Sequence, residues 1–154
     1  MPQLVLEEEN TQQLLQKLIG KDIHLTELVS KEIHPSTLRG LVTDENELVA
    51  LIGSDLPFAH FSGAALAMVP LDAVDADATS PDEDLLEVYG EVANVLSRVV
   101  NEALPERVRI DPGLDHPVEE LAQVIKQGEL AFGCAVNIDG YGAGVLAVWH
   151  RPVS

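Results

Sequence analysis

The stretch Ser80–Ala103, SPDEDLLEVYGEVANVLSRVVNEA, decides how the rest of the chain is read. It opens with helix-start chemistry. Ser80 is a natural N-cap, Pro81 suits the first helical position, and Asp82, Glu83 and Asp84 put negative charge at the positive end of the helix dipole. Apolar residues then recur at helical spacing, at Leu85, Val88, Tyr89, Val92, Leu96, Val99 and Ala103. This predicts a helix of about six turns with one core-facing stripe, at ~3.6 residues per turn. Nearly opposite the stripe, Glu87, Glu91, Asn94 and Arg98 fall within about 60° of one another at ~100° per residue. Asparagine is a poor helix former because its amide competes for backbone groups, so Asn94 costs a little stability and packs nothing. Taken alone, such a face reads as solvated, with a Glu87/Glu91 repulsion partly relieved by Arg98.

Outward from this helix, turn and cap signals divide the chain. Upstream, Asn10 or Thr11 caps a short helix with Leu14, Leu15, Leu18 and Ile19 on one side, and Gly20 ends it. Ile23, Leu25 and Leu28 alternate weakly, as in a strand within Asp22–Glu32. Leu38–Thr43 and Leu48–Ile52 flank the turn cluster Asp44-Glu45-Asn46 and predict a β-hairpin. Ser54 or Asp55 before Pro57 starts another helix, with Phe58, Phe61, Ala65, Leu66 and Val69 on its buried face and Pro70 at its end. The small, acidic run Asp72–Thr79 reads as a linker. Downstream, Val108–Ile110 suggests a short strand, Asp111-Pro112-Gly113 a turn, and Val118–Lys126 a helix with Val118, Leu121, Ala122 and Ile125 on one side. Leu130–Ile138 and Ala143–Trp149 flank Asp139-Gly140-Tyr141-Gly142, a strong hairpin signal. The expected fold class is α/β (α+β), with a mainly antiparallel sheet and helices on one face, in a single domain over residues 1–154.

Composition narrows the function. The chain has 154 residues, 46% of them hydrophobic and 23% charged, as in a single globular domain. Only 4% are aromatic, so Leu, Val, Ile and Ala must build the core. No apolar run reaches the ~18 residues of a membrane span, and no signal segment opens the chain. The single Cys134 excludes an internal disulfide framework, so a reducing, cytoplasmic setting is expected. Nine Lys and Arg against 26 Asp and Glu give a net charge of −17. Such a surface repels phosphate backbones and anionic membranes, so neither nucleic acid nor membrane is an expected partner. A basic patch or an active-site lysine on another protein suits it better.

Several catalytic constellations are missing from the sequence. Gly140-Tyr141-Gly142-Ala143-Gly144 lacks the lysine and following helix of a phosphate loop. The five histidines show no metal-ligand spacing, and Asp115-His116 with Glu119 and Glu120 makes a weak metal candidate, so no metal site is expected. A Gly-x-Ser-x-Gly elbow is absent. Cys134, inside a predicted strand with no evident charge partner, reads as a small buried hydrophobe.

Glu87-x-x-x-Glu91-x-x-Asn94 resembles the Asp/Ser-x-x-x-Glu-x-x-Asn signature of the CheC/CheX/FliY phosphatases of bacterial chemotaxis. That pattern also has a proline twenty-three positions after the asparagine, where this chain has Pro117. The string YGEVANVLS is similar to the family's helix. Glu87 stands where the family has Asp or Ser, and Arg98 and Val99 occupy positions where a glycine often follows. The resemblance implies two pseudo-symmetric halves, each beginning with a helix that can carry the motif. Gln13-x-x-x-Lys17-x-x-Gly20 does not match, which would leave the first half inactive. It further implies hydrolysis of the aspartyl phosphate on a CheY-like response-regulator receiver, with Asn94 positioning the attacking water and Glu91 pairing with the receiver's lysine. Glu87 and Arg98 would be partner contacts. The enzyme would bring no cofactor, the Mg²⁺ residing in the receiver, and a homodimer is compatible with the family. The alternative is a non-catalytic receiver- or partner-binding module, as in the flagellar switch proteins that share the fold without the catalytic pair.

Overall fold

The computed structural model describes residues 8–28, 33, 35–75, 79–104, 107–111 and 118–151, with Val118 described by its backbone alone. The elements in chain order are α1 (Glu8–Ile19), β1 (Ile23–Glu27), β2 (Thr37–Val42), β3 (Leu48–Ser54), α2 (Leu56–Leu66), a 3-10 turn (Leu71–Ala73), α3 (Glu83–Ala103), β4 (Arg109–Ile110), α4 (Val118–Gln127), β5 (Glu129–Ile138) and β6 (Gly142–His150). The six strands form one sheet in the order β1-β5-β6-β3-β2-β4, and every neighbouring pair is antiparallel. The fold is therefore mixed α+β, with four helices on an antiparallel sheet.

That strand order has an internal symmetry. Exchanging β1 with β4, β2 with β5 and β3 with β6 reverses the order and preserves every pairing. Strands β1–β3 follow α1 and strands β4–β6 follow α3, with α4 between β4 and β5, and the two sets meet where β3 pairs with β6. Two hydrogen bonds fix the correspondence between the leading helices. Ile23 N–H donates to Gln16 Oε1 at 3.1 Å, and Val108 N–H donates to Asn101 Oδ1 at 2.8 Å. Both span seven residues, from a helix's last turns to the first residue of β1 and to the residue just before β4. Matching Gln16 to Asn101 superposes buried Thr11 and Leu15 on buried Leu96 and Val100. In this register Asn94 corresponds to Glu9. This matching differs from the Gln13, Lys17 and Gly20 register that the resemblance gives. The first half still has no carboxamide at the Asn94 position.

Local chemistry explains α3, with one correction at its start. Its N-cap is Asp82, two residues beyond Ser80: the Asp82 carboxylate accepts from the N–H groups of Asp84 and Leu85 at 3.1 and 3.2 Å. Asp82 wins because His60 of α2 holds it in place, Nε2 accepting the Asp82 N–H at 3.0 Å. The buried stripe is Leu85, Tyr89, Val92, Ala93, Leu96 and Val100. Val88 and Val99 are half-buried and Ala103 is exposed, so the stripe turns toward Val100 over the last two turns. Helix α2 is apolar on nearly all sides, with Phe58 to Ala65 all buried, because it packs against both α3 and the sheet. A Cβ at Gly63 would collide with the Leu85 carbonyl oxygen, so this glycine sets how closely α2 and α3 approach.

The helices do not all lie on one face, contrary to the sequence-based expectation. Ala50, Ile52, Leu146 and Val148 join α1, α2 and α3 in the main core. Their alternating neighbours Leu51, Ala147 and Trp149 pack with Leu121 and Val124 of α4 on the reverse face. Central strands apolar on both faces need cover on both faces. Leu48–Ile52 and Val145–Trp149 are continuous apolar runs of this kind. Within α4 the buried residues are Leu121 and Val124, whereas Ala122 is exposed. Among the described residues, no helix is long and apolar enough to cross a membrane.

Candidate functional site

The polar face of α3 borders an open groove of about 250 Å³ lined by Glu87, Gly90, Glu91 and Asn94 of α3, Arg39 of β2 and Ile110 of β4. The symmetric sheet builds this geometry. Edge strand β4 pairs with β2 through Leu41↔Ile110 and Val42↔Arg109, which brings β4 alongside α3. Glu87, Glu91 and Asn94 are exposed, as the helical spacing predicts. Among the described residues none of their side chains makes a hydrogen bond or ion pair. Asn94 engages the fold only through its backbone carbonyl, which accepts from Ser97 Oγ at 2.6 Å. Two carboxylates and a carboxamide thus stand on one helix face without partners among the described residues, a donor and acceptor set ready for an external group.

Arg98 is exposed on the same side of the helix, one turn beyond Asn94, but does not line the groove. Pro117, the remaining element of the sequence signature, lies outside the described residues, as do Asp115, His116, Pro112 and Gly113.

Three groove residues were not named as site residues from the sequence. Gly90 sits mid-helix, where glycine costs about 1 kcal/mol relative to alanine, and a Cβ there would meet nothing within 4 Å. No packing among the described residues requires it. Ile110 supplies the apolar wall. Arg39 is the groove's cation, half-buried, with its guanidinium carbon 5.8 Å from the centre of the Tyr89 ring. A signal for Arg39 existed. It lies in phase with buried Leu41, on the strand face turned toward the helices, and an arginine at such a position needs a reason. Tyr89 itself is fully buried, edge-on to Phe58 with ring centres 6.0 Å apart. Its hydroxyl finds no hydrogen-bond partner among the described residues.

Other candidates are accounted for by the fold. Cys134 is buried, as expected, but it has a charged partner: its thiol donates to Glu8 Oε1 at 3.3 Å. Burial, together with the hydrogen bond to Glu8 and its negative charge, pushes the thiol up to about 12, so it is inert as a nucleophile at neutral pH. Burial lowers the pKa of His150 at the end of β6, partly opposed by Glu129. Among the described residues no group of three His, Cys, Asp or Glu could hold a metal ion. A second, wider hollow lined by Gln16, Gly20, Lys21, Asp22 and Asp139 lies at the end of α1. There Gln16 is engaged in the tie to β1, and Gln12 Nε2 donates to the Ile23 carbonyl at 2.7 Å.

Comparison with protein-family models gives no match, and no curated protein matches the chain.

Proposed function

We propose that the protein hydrolyses the aspartyl phosphate of a CheY-like response-regulator receiver, docking α3 over the receiver's phosphorylation site. The observation that carries this reading is the α3 face itself. Glu91 and Asn94 are exposed one turn apart, free of partners among the described residues, beside a helix glycine and in a groove. The order Glu87-x-x-x-Glu91-x-x-Asn94 and the resemblance to the CheC/CheX/FliY signature supply the chemistry. The two sets of three strands, each following a helix, support a CheC/CheX-like architecture, with one active motif copy.

In this mechanism the receiver contributes the phosphoryl group, a Mg²⁺ and a lysine. Phosphoryl transfer needs mainly positioning and charge stabilisation. Asn94 holds a water through its carboxamide, in line with the bond to be broken. Glu91 pairs with the receiver lysine and fixes the docking, a charge-assisted contact. Glu87 and Arg98 touch the receiver at the rim. The chain brings no metal of its own, and the setting is the cytoplasm, where such receivers work.

The test is to mix the protein with purified phosphorylated receivers and Mg²⁺ and follow phosphate loss. Acceleration that disappears in Asn94→Ala while receiver binding persists is the expected result, because a water-positioning group acts on the transition state. Glu91→Ala should weaken binding as well. The binding-module reading draws on exposed Arg98 and on Glu87 standing in place of Asp or Ser. It predicts receiver binding with phosphate lost at the receiver's own rate.

A further inference from the structure

We infer that Arg39 is a third catalytic residue of this site, placing its guanidinium on the phosphoryl oxygens of the docked receiver. The inference rests on the phosphatase reading above and adds to it a charge that the sequence signature does not contain.

Three observations carry it. First, among the described residues lining the groove, Arg39 is the cation, beside two carboxylates, a carboxamide, a glycine and an isoleucine. Second, it is held without being neutralised. Its guanidinium sits by the Tyr89 ring at 5.8 Å, and among the described residues it makes no hydrogen bond or ion pair, although Glu87 and Glu91 line the same groove. An arginine beside an aromatic face keeps its planar fork of N–H donors open to an anion. Third, the position is set by the sheet and does not depend on a flexible loop. Arg39 pairs with Ile52 in the body of the β2–β3 hairpin, next to Leu41, whose partner Ile110 forms the groove wall.

Charge balance gives the residue its task. Glu91 draws the receiver's lysine into an ion pair, which takes positive charge away from the phosphoryl group. Glu87 and Glu91 add negative charge close to it, in a protein of net charge −17. A dianionic phosphoryl brought to this groove needs a replacement cation, and Arg39 is the one in place. In the reaction, the oxygen of the Asn94-held water bonds to phosphorus as the bond from phosphorus to the aspartyl oxygen breaks. Aspartate leaves as a carboxylate. Both water protons stay with the product as dihydrogen phosphate, which loses one to solvent near neutral pH. Arg39 forms and breaks no covalent bond and accepts no proton. It stabilises charge spread over the equatorial oxygens, as an arginine supplied in trans does in other phosphoryl transfers.

The experiment loads CheY-like receivers with radiolabelled acetyl phosphate and Mg²⁺, then follows single-turnover phosphate loss with saturating full-length protein. Arg39→Ala should slow the step about 10- to 100-fold, Arg39→Lys less, and added guanidinium ion should restore part of the Arg39→Ala loss. Affinity for a beryllofluoride-loaded receiver should fall in Arg39→Ala, while affinity for the unloaded receiver stays the same. Equal weakening toward loaded and unloaded receiver would make Arg39 a protein-docking contact and overturn the assignment. Wild-type turnover by Arg39→Ala, with Asn94→Ala inactive, would also overturn it and leave the phosphatase reading standing. If wild-type protein accelerates phosphate loss from none of the receivers, both fall together.

Discussion

The backbone N–H of Asp82 donates to Nε2 of His60 at 3.0 Å, tying the middle of α2 to the N-cap of the helix that carries the candidate site. His60 is only 3% exposed, and this bond requires its ring proton to reside on Nδ1. The same Asp82 caps α3 with its carboxylate. Removing the acceptor while keeping apolar bulk, in His60→Leu, should cost about 1 kcal/mol in urea unfolding. Asp82→Ala should cost about the same. The double variant should lose less than the sum, because both changes release the same residue from its cap position. Strict additivity would show that the two bonds act independently.

Alkaline stability should report the Cys134–Glu8 contact. The thiol is raised from an ordinary 9.0 to about 12, so the folded state keeps the proton where the unfolded chain gives it up. Stability is then fully present below about pH 9 and is lost as pH rises toward about 12, since there the unfolded state binds fewer protons. Lysine and tyrosine titrate in the same range. The measurement is therefore the difference between wild type and Cys134→Ala, unfolded in denaturant at a series of pH values. That difference should move steadily in favour of the variant across the window. For His150 the shift is downward through burial, so its contribution is present above about pH 6.5 and is lost as pH falls below it.

Several features that depend on a few consecutive residues were legible before the structure, although α1 begins at Glu8, upstream of the Asn10 or Thr11 cap expected for it. Gly20, with φ of 76° and its N–H on the Gln16 carbonyl, ends α1 as expected. Asp55 caps α2 by accepting from Phe58 N–H, and Gly140 at φ 84° turns the β5–β6 hairpin. The exposed trio Glu87, Glu91 and Asn94 followed from helical angle alone. What stayed hidden is set by pairing across the chain. The antiparallel contact of β4 with β2, about seventy residues apart in sequence, brings Ile110 to Leu41 and so to the groove that Arg39 shares. No local pattern encodes that contact. The place of α4 on the reverse face was hidden differently: the two-sided apolar character of Leu48–Ile52 and Val145–Trp149 was visible, but which helix answers it depends on the sheet order. The N-cap fell on Asp82 and not Ser80 because His60, twenty-two residues earlier, chooses among several competent caps.

Tyr89 has a hydroxyl whose removal should help the fold. It is fully buried without a partner among the described residues, so the folded state carries its desolvation with nothing returned. Tyr89→Phe keeps the edge-on contact with Phe58 and the aromatic face beside Arg39. Stability should rise by roughly 1 kcal/mol, and any phosphatase activity should be preserved. Tyr89→Leu discards the ring. It should destabilise the protein by roughly 1–3 kcal/mol and, if the ring holds Arg39 in place, lower activity in proportion to Arg39→Ala. A loss of stability in Tyr89→Phe would mean that a buried water or a group outside the described residues satisfies the hydroxyl.

Gly90 offers a sharper separation of stability from function. It lies in the interior of α3, between Glu87 and Asn94, where glycine is unfavourable by about 1 kcal/mol against alanine. Its φ is not in the left-handed region, and a Cβ would meet none of the described residues within 4 Å, so packing among them gives no reason to keep it. Gly90→Ala should therefore raise stability by about 0.5–1 kcal/mol, read as a higher urea midpoint at unchanged slope. The gap left by the missing side chain opens into the groove, next to the residues proposed to meet the receiver. A partner that docks closely over Asn94 would use that space, and a methyl group there would hold the two surfaces apart. Gly90→Ala should then weaken receiver binding at least several-fold, and Gly90→Leu should abolish it while the helix remains intact by circular dichroism. Because the stability change has the opposite sign, loss of binding could not be ascribed to unfolding. Full binding and hydrolysis in Gly90→Leu would remove this face of α3 from the interface, and with it the docking geometry proposed for Glu91 and Asn94.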